Sequence, residues 1–300
     1  MSIAFFTEMG FRGKIPRTHE NMRTEFAWMV ALNVDHYNIR EIPTQTYDLG
    51  IVIIPKNNPE FNINSLRKSC HKIAVMQEGP HWYFQDYDLS RQIWYYNTLI
   101  ESDVIFTHNK SDQKYYKGLT NHPDIRIMPS LMIEDAIGNV EEVNRKGVIV
   151  GGNFCNWYGG FDSYIVAREI SDIIYAPSMG RKKEGEEQLL NHLPYMNWKQ
   201  WIHKLNEFKY GVHLMRTHAA GTFALNCAYL GIPCIGYKGL DTQELCHPNL
   251  TVPIGDLEGA KEKIILLHQN KEFYNKCSEE AKENYKTYYT EKIFLDKWKK

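Results

Sequence analysis

The run Arg216-Thr217-His218-Ala219-Ala220-Gly221-Thr222-Phe223-Ala224-Leu225-Asn226-Cys227-Ala228-Tyr229-Leu230-Gly231-Ile232-Pro233-Cys234-Ile235-Gly236 decides how this chain is read. A strand, Val212 to Met215, leads into small residues that open a helix from about Thr222 to Leu230. Gly231 and Pro233 then stop the helix and start the next strand, Pro233 to Tyr237. A helix that begins just beyond a strand end offers unpaired backbone N–H groups to an anion, with the Thr222 hydroxyl as a further donor. Asn226, one to two turns later, is placed to reach a ribose.

The same rhythm extends in both directions. Upstream, strands are expected at Ile3 to Thr7, Tyr37 to Ile42, Gly50 to Pro55, Ile73 to Gln77, Val104 to Thr107 and Ile125 to Met128. Thr18 is read as the cap of a helix carrying Met22, Phe26, Met29 and Val30. Another helix starts near Asp88, with Leu89, Ile93, Tyr96 and Ile100 aligned on one face. The rhythm lapses over 129–145 and resumes with strands at Gly147 to Val150 and Ile173 to Ala176. Asn197 then caps a helix bearing Trp198, Ile202 and Leu205, with Gln200 at the capping-box position. Strands alternating with helices predict an α/β chain with mainly parallel sheets, divided into an N-terminal domain (1–135), a second domain (136–285) and a C-terminal helix (286–300).

Composition narrows the class. Thirty-five Lys and Arg against thirty-six Asp and Glu exclude a strongly basic nucleic-acid wrapper and an acidic tail. No stretch has the roughly 20 apolar residues of a membrane span, and the N-terminus runs straight into a strand pattern, so a cytoplasmic location without a transmembrane segment is expected. The six cysteines form no Cys-x-x-Cys pair, so no metal site is expected.

Ligands of open parallel sheets bind at the carboxyl ends of strands. Gly151-Gly152-Asn153-Phe154 follows one strand and allows close approach to a phosphate, though it lacks the third glycine of a dinucleotide fingerprint. Arg181 and Lys182 follow another strand and are read either as diphosphate ligands or as a solvated surface run.

The run from Gly221 to Ile235 resembles the donor-site helix of GT-B glycosyltransferases, where Glu-Ala-x-x-x-Gly-x-Pro-x-Ile is usual. The segment His192 to Met196 and the helix after it are similar to that family's nucleobase-contacting segment. The resemblance spans essentially the whole chain. It implies two Rossmann-like domains facing across a cleft, a C-terminal helix that crosses back to the first domain, and transfer of a sugar from a UDP- or GDP-sugar to a hydroxyl acceptor. It further implies that Leu193 to Met196, Tyr195 included, meet the base through backbone groups, and that Arg216, His218, Gly221, Thr222 and Asn226 belong to the donor site. Asn226 stands where the family usually has a ribose-binding Glu, and His218 where many retaining members have a second Glu. Both departures favour an inverting reaction.

An inverting transfer needs a base for the acceptor hydroxyl. Glu78, at a strand end before Gly79-Pro80, is the leading candidate, with capping of the following turn as its alternative role; His19 is the reserve base. Phage DNA β-glucosyltransferases are similar in placing a catalytic acid group at such a strand end, and their Gly-Gly-Ser-Phe turn looks like Gly151 to Phe154. A hydroxymethylated DNA base therefore stands beside glycans and lipid-linked sugars as an acceptor. Gly10, Arg12, Gly13, Lys14, Arg17 and the nearby Arg23, with His81 and Trp82, form the expected acceptor side. No cofactor beyond the nucleotide sugar is expected, and stimulation by a divalent cation stays open. Asp86-Tyr87-Asp88 matches the metal motif of GT-A transferases and supports that alternative; a non-catalytic nucleotide-binding protein is another.

Overall fold

The computed structural model describes residues 1–8, 12–58, 60–152, 154–178 and 189–299. Two six-stranded sheets organise them. The first contains β1 (Ile3–Thr7), β2 (Asp35–Asn38), β3 (Tyr47–Ile53), β4 (Cys70–Met76), β5 (Val104–Thr107) and β6 (Ile125–Ile127), in the order β2-β1-β3-β4-β5-β6. The second contains β7 (Val148–Val150), β8 (Ile174–Ser178), β9 (Asn191–Tyr195), β10 (Tyr210–His213), β11 (Cys234–Tyr237) and β12 (Thr251–Val252), in the order β12-β11-β10-β7-β8-β9. All pairings within the sheets are parallel. Ile-Ala-Phe-Phe-Thr in β1 and Val-Ile-Val in β7 are buried at every position. Strands this uniformly apolar are stable only where helices cover both faces of the sheet.

β1, β5 and the Thr222–Leu230 helix begin and end where their patterns place them. The capping box also forms: Asn197 Oδ1 accepts from Gln200 N at 2.9 Å, and Gln200 Oε1 accepts from Asn197 N at 3.2 Å. Four expectations need correction. Thr18 caps no helix, because a turn closed by His19 N donating to the Pro16 carbonyl at 2.9 Å holds it and the helix is Glu25–Leu32, which leaves Met22 outside. The strand expected at Tyr37 to Ile42 lies earlier, as β2, Asp35–Asn38. The segment expected to contact a nucleobase, His192 to Met196, is a strand as far as Tyr195: β9 runs through it and pairs with β8 at the sheet edge. The apolar stripe of the Leu89–Ile100 helix does not face the core: Leu89 is 70% and Ile93 50% exposed. Tyr95, Thr98 and Leu99 are its buried residues. Tyr95 stacks on Phe84 at 4.2 Å and shares a 2.8 Å hydroxyl hydrogen bond with Tyr116. Two rows of apolar residues share the helical period here, and the row with the better aromatic partners is buried.

The domains are tied together at several points. One apolar cluster contains Phe5 and Met76 of the first sheet together with Ile149 and Phe223 of the second domain. The Glu291–Trp298 helix crosses back to the first domain, where fully buried Phe294 packs 5.6 Å from Trp28 and Trp298 packs 5.6 Å from Phe106. Arg17 fastens this crossing, donating to Asp135 at 2.7 and 2.8 Å and to Glu291 at 2.8 and 2.7 Å. No helix among the described residues is long and apolar enough to cross a membrane. Phe294→Ala removes the aromatic plug of this crossing and is expected to cost about 3–5 kcal/mol, read as a lower urea midpoint.

Candidate functional site

Both sheets reverse their strand order beside the first strand, and this opens a crevice at the carboxyl ends. In the first sheet β1 lies between β2 and β3; in the second, β7 lies between β8 and β10. The two crevices face one another across a cleft of about 350 Å³, lined from both domains.

The second domain supplies a backbone-rich wall. Gly152, Pro177, His213, Met215, Ala219 to Phe223 and Asn226 line it, together with the rings of Trp157, Tyr158 and Trp201. Close packing excludes side chains at its glycines. Gly152 has φ +70°, and a Cβ there would lie 2.5 Å from the Tyr158 ring. Gly221 has φ +65°, and its Cβ would fall 2.0 Å from the Thr242 hydroxyl, which donates to the Gly221 carbonyl at 3.0 Å. The Thr222–Leu230 helix therefore starts abruptly at the cleft, with its first-turn amides directed there. Asn226, on the same helix, is buried at the cleft. Burial alone pushes His213 down to about 4 and keeps it neutral.

The first domain supplies the charge. Arg23, Thr24, Glu25, Lys56, Glu78 and His108 line its wall. Burial lowers Arg23 from its ordinary value, with Tyr195 and Tyr158 opposing the effect; an arginine still keeps its proton at neutral pH. Thr24 has φ 45°, a left-handed value unusual for a β-branched residue, and it aims the start of the Glu25–Leu32 helix into the cleft. Glu78 pairs with Lys56 at 3.1 Å, and Lys56 also lies 4.8 Å over the Tyr83 ring. Burial raises the Glu25 carboxyl to about 8, the Glu78 carboxylate adds to the rise, and Lys56 opposes it. A second cavity of about 250 Å³, lined by Thr7, Glu8 and residues 53–56, adjoins the cleft and shares Glu25, Lys56 and Glu78 with it.

The structure gathers Arg23, Glu78, Gly152, Gly221, Thr222 and Asn226 into one cleft. Gly151 is next to it in the chain, and a Cβ there would fall 2.6 Å from the His213 ring and 2.8 Å from that of Phe223. The other residues singled out in the sequence lie elsewhere. His19 bonds to the Asn21 backbone and stacks on Phe26. Arg12 is paired with Glu41, Gly13 bridges His36, Lys14 is exposed, and Arg17 is held by Asp135 and Glu291. Leu193 packs in the core, Tyr195 is exposed, and Arg216 pairs with Asp162 at 2.7 Å. His218 and His81 turn to a common site behind the cleft, and Trp82 meets Trp157 edge-on at 5.3 Å across the domains. Gly10, Asn153, Arg181 and Lys182 lie outside the described residues. Glu25 and Lys56 were not anticipated: a glutamate opening a helix and a lysine after β3 carry no spacing signal.

No family model matches the chain, and no curated protein matches it. Solved structures do. Sucrose-phosphate synthase from Thermosynechococcus elongatus superposes with a TM-score of 0.70 at 9% identity, covering 99% of this chain and 97% of that one. Anabaena HepE in complex with UDP and glucose gives 0.66 at 9% identity over 100% and 98%. TarM gives 0.63 at 10% identity, covering 83% of this chain and 53% of that one. The chain has the GT-B fold of these glycosyltransferases. A second complete sheet removes the GT-A scaffold on which the Asp86-Tyr87-Asp88 alternative depended. Asp88 instead caps its helix, accepting from Arg91 N at 3.0 Å.

A carboxyl group raised by folding binds more protons in the folded than in the unfolded chain between its two pKa values. Glu25 therefore stabilises least at high pH, and its contribution is lost as pH rises from the ordinary carboxylate range through about 8. Glu25→Gln is expected to flatten this dependence, gaining at least about 1 kcal/mol on wild type between pH 5 and pH 9 in urea unfolding.

Proposed function

We propose that this protein is an inverting glycosyltransferase that moves a sugar from a nucleoside-diphosphate donor to a hydroxyl acceptor. The observation that carries this reading is the position of Glu25, Lys56 and Glu78 on the wall shared by the interdomain cleft and the adjoining cavity. A donor in the cleft and an acceptor in the cavity would meet at these side chains.

The diphosphate would lie against Gly152 and the first turn of the Thr222–Leu230 helix, where amides and the helix dipole favour negative charge. Arg23 faces it from the other domain, and Asn226 offers both a donor and an acceptor to ribose or sugar hydroxyls. Glu78, held by Lys56, accepts the proton of the acceptor hydroxyl as its oxygen attacks the anomeric carbon. The bond from that carbon to the diphosphate breaks, and the departing oxygens take their charge onto the helix amides and Arg23. Attack opposite the leaving group inverts the anomeric centre. Glu25 remains protonated beside Glu78 and limits the negative charge at the site.

Uridine is the first base to test, because HepE was solved with UDP-glucose and TarM with UDP. The decisive experiment combines calorimetry with UDP-sugars and GDP-sugars with a transfer assay on sugar, lipid-linked and hydroxymethylated-DNA acceptors. Glu78→Gln is expected to lower kcat by about 10²- to 10⁴-fold with the Kd for nucleotide nearly unchanged. Unaltered turnover in that variant excludes Glu78 as the base, and tight binding without turnover on any acceptor reduces the protein to a nucleotide-binding module. Turnover should also fall above pH 8, as Glu25 ionises next to Glu78.

A further inference from the structure

Behind the cleft, three residues distant in the chain converge. His81, just after the cleft residue Pro80, and Asp112, in the Lys110–Thr120 helix, come from the first domain; His218, just before the cleft residue Ala219, comes from the second. His81 Nδ1 lies 3.1 Å and His218 Nδ1 3.7 Å from Asp112 Oδ1, and the donor atoms of all three lie within 4.8 Å of one another. We propose that His81, Asp112 and His218 form a divalent transition-metal site, of the kind zinc occupies, that joins the two domains.

Bonds of about 2.0–2.2 Å to a four-coordinate zinc place neighbouring donor atoms roughly 3.4 Å apart. The two distances to Asp112 bracket that separation. The surroundings also prepare each ligand. Asn109 Nδ2 donates to Asp112 Oδ2 at 2.8 Å, which fixes the carboxylate and leaves Oδ1 facing the histidines. The same amide donates to the Ala219 carbonyl at 2.8 Å, so one side chain positions both the carboxylate and the backbone next to His218. The His81 ring lies 4.0 Å from that of Tyr115.

His218 carries the sharpest sign. Both of its ring nitrogens are buried and make no hydrogen bond. A Cβ on Gly239 would fall 2.1 Å from Nε2, so the backbone covers that nitrogen and Nδ1 is the one turned to the carboxylate. A buried imidazole without hydrogen bonds is costly unless something else takes its lone pair. Two imidazoles and one carboxylate suit zinc, cobalt or nickel better than magnesium or calcium, which prefer all-oxygen shells. A fourth position is left for water. The site is separate from the diphosphate wall, so the metal joins the domains and does not act on the leaving group.

Cobalt(II) titrated into the untagged, metal-stripped full chain tests this. One equivalent is expected to bind with the intense visible bands of a four-coordinate ion, and zinc should displace it. Zinc should also raise Tm. His81→Gln and Asp112→Asn are expected to weaken cobalt binding at least tenfold. His218→Cys should keep the site and add a thiolate-to-cobalt absorption in the near ultraviolet, a signature that no purely structural role produces. Absence of saturable uptake by wild type, a weak six-coordinate spectrum, or a His218→Cys spectrum without the new band would each overturn the assignment. None of these readouts depends on transfer activity, so failure of the metal site and failure of the glycosyltransferase reading are distinguishable.

Discussion

A parallel strand sends its carboxyl end, and the loop that follows it, to one edge of its sheet. Two parallel sheets have only two such edges, and everything chemical in this molecule follows from their facing each other. Gly152, His213 and Gly221 follow or end strands of the second sheet, while Lys56 and Glu78 follow strands of the first. One wall sets the glycines and first-turn amides of a helix start among the rings of Trp157, Tyr158, Trp201, His213 and Phe223. The other carries ionisable groups, because its strand ends are followed by loops with room for them.

Joining the edges requires more than a hinge. The domains share one apolar cluster, Asn109 bonds to the Ala219 carbonyl and accepts from Asp241 N, and Asn197 Nδ2 donates to Glu20 at 3.1 Å. These contacts hold the two domains against each other.

The fold was legible in the sequence because buried parallel strands are written as short apolar runs, and the second domain's central turn combines Gly221, Thr222, Gly231 and Pro233 at fixed spacing. β9 was not, because at a sheet edge Asn-His-Leu-Pro-Tyr buries chiefly Leu193 and loses the apolar signal. The Leu89–Ile100 helix misled for a different reason: periodicity gives a stripe but not its orientation, and aromatic partners decided that. The site divides along the same line. Its glycines and helix start follow from local backbone demands and are readable, and Glu78 follows from its strand end. Glu25, at a helix start, and Lys56, in the loop after β3, owe their roles to burial and to their meeting with Glu78, which is tertiary information. The basic loop from Arg12 to Arg17 looked like a ligand-binding surface only because Glu41, Asp135 and Glu291, which occupy two of its arginines, lie far along the chain.

The crossing helix also orders events during synthesis. Phe294 and Trp298 complete a core whose other members, Trp28 and Phe106, leave the ribosome long before them. The first domain must therefore wait, with part of its apolar surface uncovered, while the whole second domain is made and folded. Its final packing comes last, so the nascent chain has the longest need of chaperones at the domain that is synthesised first.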